Sequence, residues 1–310
     1  MSANRYYSLN DYCKEVFGEK VYRLSLSGGM TCPNRDGTLS YGGSGDFAAD
    51  AFLPVSEQFI QARQKIAAKT HCQKFIAYFQ SFTNTYAPVD ILRQLYSEAM
   101  APEEIVALSI GTRSDCLPPE TLELLSDLNQ EKPIWIELGL QSIHAKTLSA
   151  MNTHTTVAQF DAAVSKLHAL GISVIAHVIL GFPGETKEMM KDTIRHVAAL
   201  PVSGIKLQLL HVLSDSDLAD LYRAGEYTPL EKEEYLTLVG DCIAHLRADI
   251  VLHRLTGDGD KNTLLAPLWS LRKRDVLNHL HRYLRENHIR QGMSCKIDLS
   301  VIYNKPKDVL

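Results

Sequence analysis

The sequence predicts an α/β fold, namely a partial (β/α)6 barrel of the TIM-like kind followed by a small α/β C-terminal extension. Short runs rich in β-branched and aromatic residues alternate with longer amphipathic runs, which is the pattern of a parallel sheet with helical crossovers. The alternation repeats six times, whereas a closed barrel has eight units and typically takes about 250 residues. An open or partial barrel therefore fits best, and a doubly wound sheet is the second possibility.

Six segments have the composition of buried strands. In chain order they are VYRLSLS, KFIAYFQ, IVALSIG, IWIELGLQ, ISVIAHVILGF and GIKLQLLHVL. Five segments between them are predicted helices. These are SEQFIQARQKIAAK, VDILRQLYSEAM, PPETLELLSDLNQ, the region 156–170 and TKEMMKDTIRHVAAL. Ser56 is the expected N-cap of the first helix, and the paired prolines 118 and 119 mark the start of the third.

The pattern changes after Asp217, and this change predicts two domains. Residues 1–217 contain the strand–helix repeats and form the barrel. Residues 218–310 contain two helical segments around a strand-like run: EYTPLEKEEYLTLVGDCIAHLRAD, IVLHRLTGDGD and APLWSLRKRDVLNHLHRYLRENHI. We predict that they form a C-terminal domain packed on the barrel.

Composition and charge exclude several classes of protein. The chain has 310 residues, is 45% hydrophobic and has a formal net charge of -4, which argues against non-specific coating of nucleic acid. Its longest apolar run falls short of the roughly 20 residues of a membrane span. The N-terminus lacks the apolar stretch of a secretory signal, and the six cysteines show no disulfide spacing. We expect a cytoplasmic protein with no membrane partner.

Polar residues follow the predicted strands, where a barrel carries its chemistry. Arg113, Asp115 and Cys116 come directly after the third strand. They fit a loop held by an ion pair, or a site whose thiol donates hydrogen, forms an adduct or binds metal. Glu137 lies within the fourth strand and Gln141 ends it. A buried carboxylate must be paired or functional.

A basic segment follows Trp269. Residues 271–292 contain six lysines and arginines against two acidic residues. This excess fits either a solvated helix face or a strip that contacts the phosphates of RNA. The residues singled out as nucleic-acid contacts are Arg272, Lys273, Arg274 and Arg282.

Taken together, these motifs resemble the YhcC/YtqA family of radical S-adenosylmethionine (SAM) proteins. The matching segments run in order from about residue 7 to about residue 292. They include LSGGMTCPNRDGT, AYFQSFTNTYAP, SIGTRSDCLP, ELGLQSIH, HVILGFPGET, IKLQLLHVL, GEYTPLEKEEY and HRLTGDG. The resemblance implies a partial (β/α)6 barrel and a C-terminal domain like that of the Elongator catalytic subunit. It also implies a 4Fe–4S cluster that reductively cleaves SAM to a 5′-deoxyadenosyl radical.

The resemblance explains the loop after the first strand. In the family, three cysteine thiolates of this loop hold three irons, and the fourth iron chelates SAM. Cys32, in TCPNRDGT, matches the first ligand and is the predicted metal ligand. The family's C-x-x-C pair should follow the Gly42–Gly43 pair, but Ser44 and Phe47 stand at its positions. A deletion of several residues between two similar glycine pairs is the simplest alignment.

The resemblance also implies a set of SAM-binding residues. Tyr78, Gln80 and Ser81 would meet the amino group of the methionine part, and Arg113 and Glu137 would face the ribose and the carboxylate. The remaining cofactor-binding residues are Gln141 and, around the adenine, Ile179, Gly181 and Glu185. Cys116 is the candidate catalytic thiol. A second departure from the family is MNTHTT, where relatives carry Asn-Arg-Gly-His.

The Elongator-like C-terminal domain and the basic segment indicate tRNA as a partner, with wobble-uridine modification as the reaction. An electron donor such as flavodoxin or ferredoxin would supply the electron that reduces the cluster. Three hypotheses stay open. The chain is a radical SAM enzyme, or a cluster-free relative that binds SAM or RNA, or a conventional barrel enzyme with Glu137 and His177 as acid and base.

Overall fold

The computed structural model describes residues 5–34, 36–39, 53–67, 72–80, 82–257, 259–297 and 302. The strands within this part of the chain are β1 (Tyr22–Leu26), β2 (Phe75–Phe79), β3 (Ile105–Thr112), β4 (Ile134–Gln141), β5 (Ser173–Leu180), β6 (Gly204–Leu209), β7 (Val212–Leu213), β8 (Val251–Arg254) and β9 (Leu264–Ala266). Each of the six predicted strands is present to within three residues at either end, apart from the last, which is interrupted after Leu209.

The helices are α1 (Leu9–Phe17), α2 (Val55–Ala67), α3 (Val89–Met100), α4 (Pro119–Glu131), α5 (Ala145–Ala150), α6 (Val157–Ala169), α7 (Lys187–Ala198), α8 (Asp217–Arg223), α9 (Lys232–His245) and α10 (Lys273–Glu286). A 3-10 turn, Leu268–Leu271, precedes α10. The five predicted helices correspond to α2, α3, α4, α6 and α7. Ser56 is not an N-cap, because α2 already begins at Val55 and the carbonyl of Pro54 accepts the first helical hydrogen bonds.

The main sheet decides between the two predicted architectures. Its order is β1-β2-β3-β4-β5-β6-β8, and every pair for which the register is defined is parallel. A doubly wound sheet reverses its strand order at a switch point, whereas this order follows the chain from one edge to the other. The partial barrel is confirmed and the doubly wound sheet is wrong.

The chain divides into two compact units. The N-terminal unit comprises residues 10–139 and 154–175. Its core is formed around β2, in which all five residues are buried, as expected of a strand covered on both faces. Tyr96 of α3 packs on Phe79 with ring centroids 5.6 Å apart. The start of α6 is fixed by a capping box between Thr156 and Gln159.

The C-terminal unit comprises residues 1–9, 140–153 and 176–310. Its sheet edge is β8, which pairs with β6 in parallel. This strand comes from the segment that we expected to be an extension, so the extension contributes a strand to the main sheet. The predicted strand GIKLQLLHVL is broken because β7 leaves the main sheet and pairs with β9 in antiparallel. The domain boundary at 217/218 remains a prediction.

Arg247 ties the C-terminal unit together. Its side chain is 1% exposed. The guanidinium donates to Asp249 and to the carbonyls of Ala198, Leu200 and Val202, which lie at the end of α7 and just after it. The last carbonyls of a helix have no partner within the helix, and Arg247 supplies one for Ala198.

Candidate functional site

Two thiols of the N-terminal unit lie beside the loop that follows β2. The hydroxyl of Thr83 donates to the sulfur of Cys32 at 3.1 Å. The hydroxyl of Thr85 donates to the carbonyl oxygen of Cys116 at 2.5 Å. The structure thus brings together Cys32 from the loop after β1 and Cys116 from the loop after β3, as expected for the carboxyl ends of neighbouring strands.

Arg113 and Asp115 hold the loop that carries Cys116. The guanidinium makes a bidentate pair with the carboxylate, with N–O distances of 2.9 and 2.7 Å. The amide of Cys116 donates to the carbonyl of Arg113. Burial and, after it, the negative charge of Asp115 raise the pKa of the Cys116 thiol to about 12. In the absence of a metal ion the thiol is therefore protonated at neutral pH.

A 4Fe–4S cluster held by three thiolates does not fit these residues. The glycine-rich part of the loop, residues 40–52, lies outside the described residues, but its sequence contains no cysteine. In the described ranges no group of three or more His, Cys, Asp or Glu side chains is arranged to hold a metal ion. One thiolate cannot replace the three that a cubane cluster requires.

Glu137 is the centre of a buried polar network in the N-terminal unit. Its carboxylate accepts hydrogen bonds from Tyr78 at 2.8 Å and from Ser109 at 3.0 Å. Arg23 lies 3.9 Å away and stacks on the Tyr78 ring, 5.2 Å from its centroid. The carboxylate is thus paired, as a buried charge requires. Gln80 is not part of this network. Its side-chain amide nitrogen donates to the hydroxyl of Ser25 at 3.5 Å. Ser81 lies outside the described residues.

Gln141 occupies a strained turn in the C-terminal unit. Its φ is +66°, a left-handed conformation that costs energy for a residue with a side chain. The amide of Ser142 donates to the carbonyl of Leu140 at 2.8 Å, so that Gln141 is the central residue of a three-residue turn. Its side-chain oxygen is shielded from solvent and has no hydrogen-bond partner among the described residues. Strain combined with an unsatisfied acceptor is typical of a ligand-binding position.

Ser142 and Glu185 lie next to this turn. The Ser142 hydroxyl donates to the Glu185 carboxylate at 2.5 Å and accepts a hydrogen bond from the amide of His144. The imidazole of His144 contacts the carbonyl of Met189 at 2.8 Å. Sequence reasoning identified Glu185 but missed Ser142, which is 1% exposed. Nothing in the local sequence around Ser142 indicates that its hydroxyl would donate to Glu185, which lies 43 residues further along the chain.

The backbone of Gly181 is used by the protein itself. Its amide donates to the sulfur of Met190 at 3.1 Å, and its carbonyl accepts from Tyr227 at 2.7 Å. A Cβ at this position would lie 3.3 Å from Leu230. Gly181 is therefore needed for close packing. The other two residues predicted to contact adenine, Ile179 and Glu185, are each partly exposed to solvent.

The predicted nucleic-acid residues lie on or next to α10. Arg272, Lys273, Arg274 and Arg282 are all exposed. Val276, Leu280 and Leu284 form the buried face of the helix. Arg274, Arg282 and also Arg285 lie on the opposite face, because spacings of eight and eleven residues bring side chains back to the same side. We call these three residues the arginine row. The sequence placed Arg285 in the basic segment but not among the four predicted contacts, although the helical period puts it on the same face.

Alkylation of Cys116 should report its raised pKa. We expect slow labelling by iodoacetamide at pH 8 in the folded protein and a steep increase as pH approaches 12, since the thiolate is the nucleophile. The folded pKa lies above the ordinary value of 9.0, so the proton stabilises the fold below pH 9, and this contribution is lost as pH rises further. Mass spectrometry of pH-dependent labelling tests this. Labelling at pH 8 as fast as in the denatured chain would contradict it, and Cys116→Ser should remove the alkaline loss of stability.

None of the helices in the described part of the chain combines the length and the apolar run needed to cross a bilayer.

The archaeal Elp3 of Methanocaldococcus infernus, with an N-terminal deletion, has the same fold. The TM-score is 0.69 at 16% identity, over 87% of this chain and 64% of that one, so the chain spans less than two thirds of Elp3.

Sequence comparisons identify the family. A tRNA uridine(34) acetyltransferase of Methanocaldococcus jannaschii is 27% identical over 142 residues, which are 45% of this chain and 26% of that protein. The uncharacterized protein YtqA of Bacillus subtilis is 38% identical over 296 residues, which are 93% of this chain and 92% of YtqA. Residues 53–197 match the radical SAM superfamily and residues 202–286 match the radical SAM C-terminal domain. With the fold and these matches, the chain belongs to the radical SAM superfamily and to its YhcC/YtqA family.

Proposed function

We propose that this chain binds SAM in the manner of a radical SAM barrel but does so without a 4Fe–4S cluster of its own. The observation that carries the proposal is Gln141, whose shielded amide oxygen has no partner among the described residues and whose backbone is held at a φ of +66°. An unsatisfied buried acceptor costs about 1–3 kcal/mol. A ribose hydroxyl or an amino group of SAM is a donor that would recover this energy.

The surroundings of Gln141 suit an adenosyl group. Glu185, held by Ser142, offers a carboxylate, and Ile179 offers partly buried apolar surface. These are the residue types that hold a nucleoside: a few polar groups that fix orientation and an apolar wall for the base. The assignment of Tyr78, Gln80, Ser81, Arg113 and Glu137 to SAM rests on the family resemblance alone and stays a prediction.

The cluster is not part of the proposal because its ligand set is incomplete. Cys32 is the single cysteine of the loop. A flavodoxin or ferredoxin partner depends on a cluster and is omitted for the same reason. Within this proposal, Cys116 acts as a protonated thiol, and Cys32 accepts a hydrogen bond from Thr83.

Calorimetry with SAM tests the role of Gln141. We expect binding to the wild-type chain, and affinity lower by about three- to tenfold in Gln141→Gly, the value of one neutral hydrogen bond. The same substitution should leave the melting temperature unchanged or raise it, because glycine adopts the left-handed turn without strain. The surface variant Gln130→Ala is the matched control and should bind SAM like the wild type.

Two results would count against the proposal. An absence of SAM binding by the wild-type chain would remove it. Iron and sulfide bound in cluster stoichiometry after anaerobic reconstitution would contradict a cluster-free protein. That result would favour the hypothesis of a radical SAM enzyme that modifies tRNA.

RNA binding is the second candidate function, and the arginine row favours it. Arg274, Arg282 and Arg285 are exposed on one face, and none of them forms an ion pair within the described ranges. Their spacing covers about 16 Å along the helix. The partial relative named as a tRNA uridine(34) acetyltransferase supports tRNA as the nucleic acid. Binding that weakens with rising salt would support this function, and no binding at low salt would end it.

A further inference from the structure

Two exposed leucines lie at the N-terminal end of α10. Leu268 is 61% exposed and Leu271 is 37% exposed, although leucine is usually buried. Both belong to the 3-10 turn that precedes the helix. In a 3-10 helix, side chains three residues apart lie one above the other. The two side chains therefore form one small apolar surface, which we call the leucine step.

The leucine step is held firmly in place. Between the two leucines, Trp269 packs on Tyr235 with ring centroids 5.6 Å apart, and its indole nitrogen donates to the carbonyl of Leu230 at 3.2 Å. The hydroxyl of Ser270 donates to the carbonyl of Pro267 at 2.8 Å. Trp269, which is half-buried, and Ser270, which is buried, thus anchor the turn and fix the outward direction of the two leucines.

Positive charge adjoins the leucine step directly. Arg272, Lys273 and Arg274 follow Leu271 in the sequence and are all exposed. The next acidic residue in the sequence, Asp275, is engaged with Lys232 at 2.6 Å and with His279 at 3.6 Å. Three cations at the start of a helix also oppose its dipole, which is positive at this end. This arrangement costs stability and suits an anionic partner.

The chemistry of RNA distinguishes two kinds of partner for this surface. A duplex offers phosphates and 2′-hydroxyl groups to a basic helix, and its bases are stacked out of reach. Unpaired nucleotides offer phosphates and also the apolar faces of their bases. An exposed apolar surface that continues a basic row matches the second kind, since a duplex alone would leave the leucines in contact with phosphate and water.

We propose that the leucine step contacts unpaired bases, so that this face binds an RNA loop or single strand in preference to a duplex. The inference rests on the RNA binding proposed above and deepens it. The backbone of the loop runs along the arginine row and the basic residues 272–274, and one or two bases lie against Leu268 and Leu271.

Fluorescence anisotropy with two RNAs of equal length tests this inference. One RNA is a hairpin with an unpaired loop, and the other is a blunt duplex without unpaired nucleotides. We expect the wild type to prefer the hairpin. The double variant Leu268→Ser/Leu271→Ser should bind the hairpin about five- to tenfold more weakly, less than the loss found for an aromatic stacking residue, and should bind the duplex unchanged.

The control is Leu221→Ser, which removes an exposed leucine of α8, 40% exposed, in the same unit. It should leave both affinities unchanged. Two results would contradict base contact by the leucine step while leaving RNA binding itself intact. One is equal affinity of the wild type for the two RNAs, and the other is an equal loss of affinity for both RNAs in the double variant. A failure of both RNAs to bind the wild type overturns the inference together with RNA binding.

Discussion

Replacement of Arg247 by alanine is expected to lower the free energy of unfolding by about 3–5 kcal/mol, the cost of removing one partner from a buried charged network. The carbonyls of Ala198, Leu200 and Val202 each lose a hydrogen bond. The Leu200 carbonyl keeps the bond from the amide of Val202, so those of Ala198 and Val202 lose the donor that matters most. Each buried acceptor left unsatisfied costs about 1–3 kcal/mol. Urea unfolding, followed by circular dichroism, measures the change.

Arg223→Ala is the control for this experiment. Arg223 pairs with Asp220 on the surface of the same unit, with side chains 55% and 84% exposed, and such a pair contributes about 0–1 kcal/mol. Arg247→Lys should fall between the two, because a lysine has the charge but cannot reach several carbonyls with one planar fork. A loss below about 1 kcal/mol in Arg247→Ala would show that water replaces the guanidinium.

Neutralising the arginine row is expected to weaken RNA binding by roughly 100-fold at 0.1 M salt, because each phosphate contact releases condensed counterions. The variant is Arg274→Gln/Arg282→Gln/Arg285→Gln, in which glutamine keeps the helical preference of the segment. The slope of log affinity against log salt should fall in magnitude by about 2 to 3. Anisotropy over a salt series measures both quantities.

A second triple variant separates a local effect from net charge. Arg63→Gln/Arg93→Gln/Lys166→Gln removes three exposed positive charges from the N-terminal unit. It changes the net charge by the same amount and should leave the affinity within about twofold, because charges that contact no phosphate are screened at this salt concentration. An equal loss in both variants would mean that RNA responds to total charge and that α10 is no specific interface.

The sequence predicted the fold because the relevant signals are local. Alternation of apolar runs and helical periodicity identified the strands to within a few residues and identified α3 at both ends, Val89–Met100. The missed elements are short, such as α5 with six residues, and their formation depends on packing more than on periodicity. The family motifs also located the strand ends, and hence Cys32, Cys116, Gln141 and Glu185.

The sequence alone also showed that the loop after β1 carries one cysteine where the family resemblance implies three, because a cysteine count requires no coordinates. It could not determine which polar residues satisfy one another. That Thr83 bonds Cys32, that Ser109 and Tyr78 bond Glu137, and that Gln141 has no such partner among the described residues are results of tertiary structure. These partners lie 28 to 59 residues apart in the chain. Hydrogen bonds over such distances follow from how strands are placed side by side, and no local pattern encodes that placement.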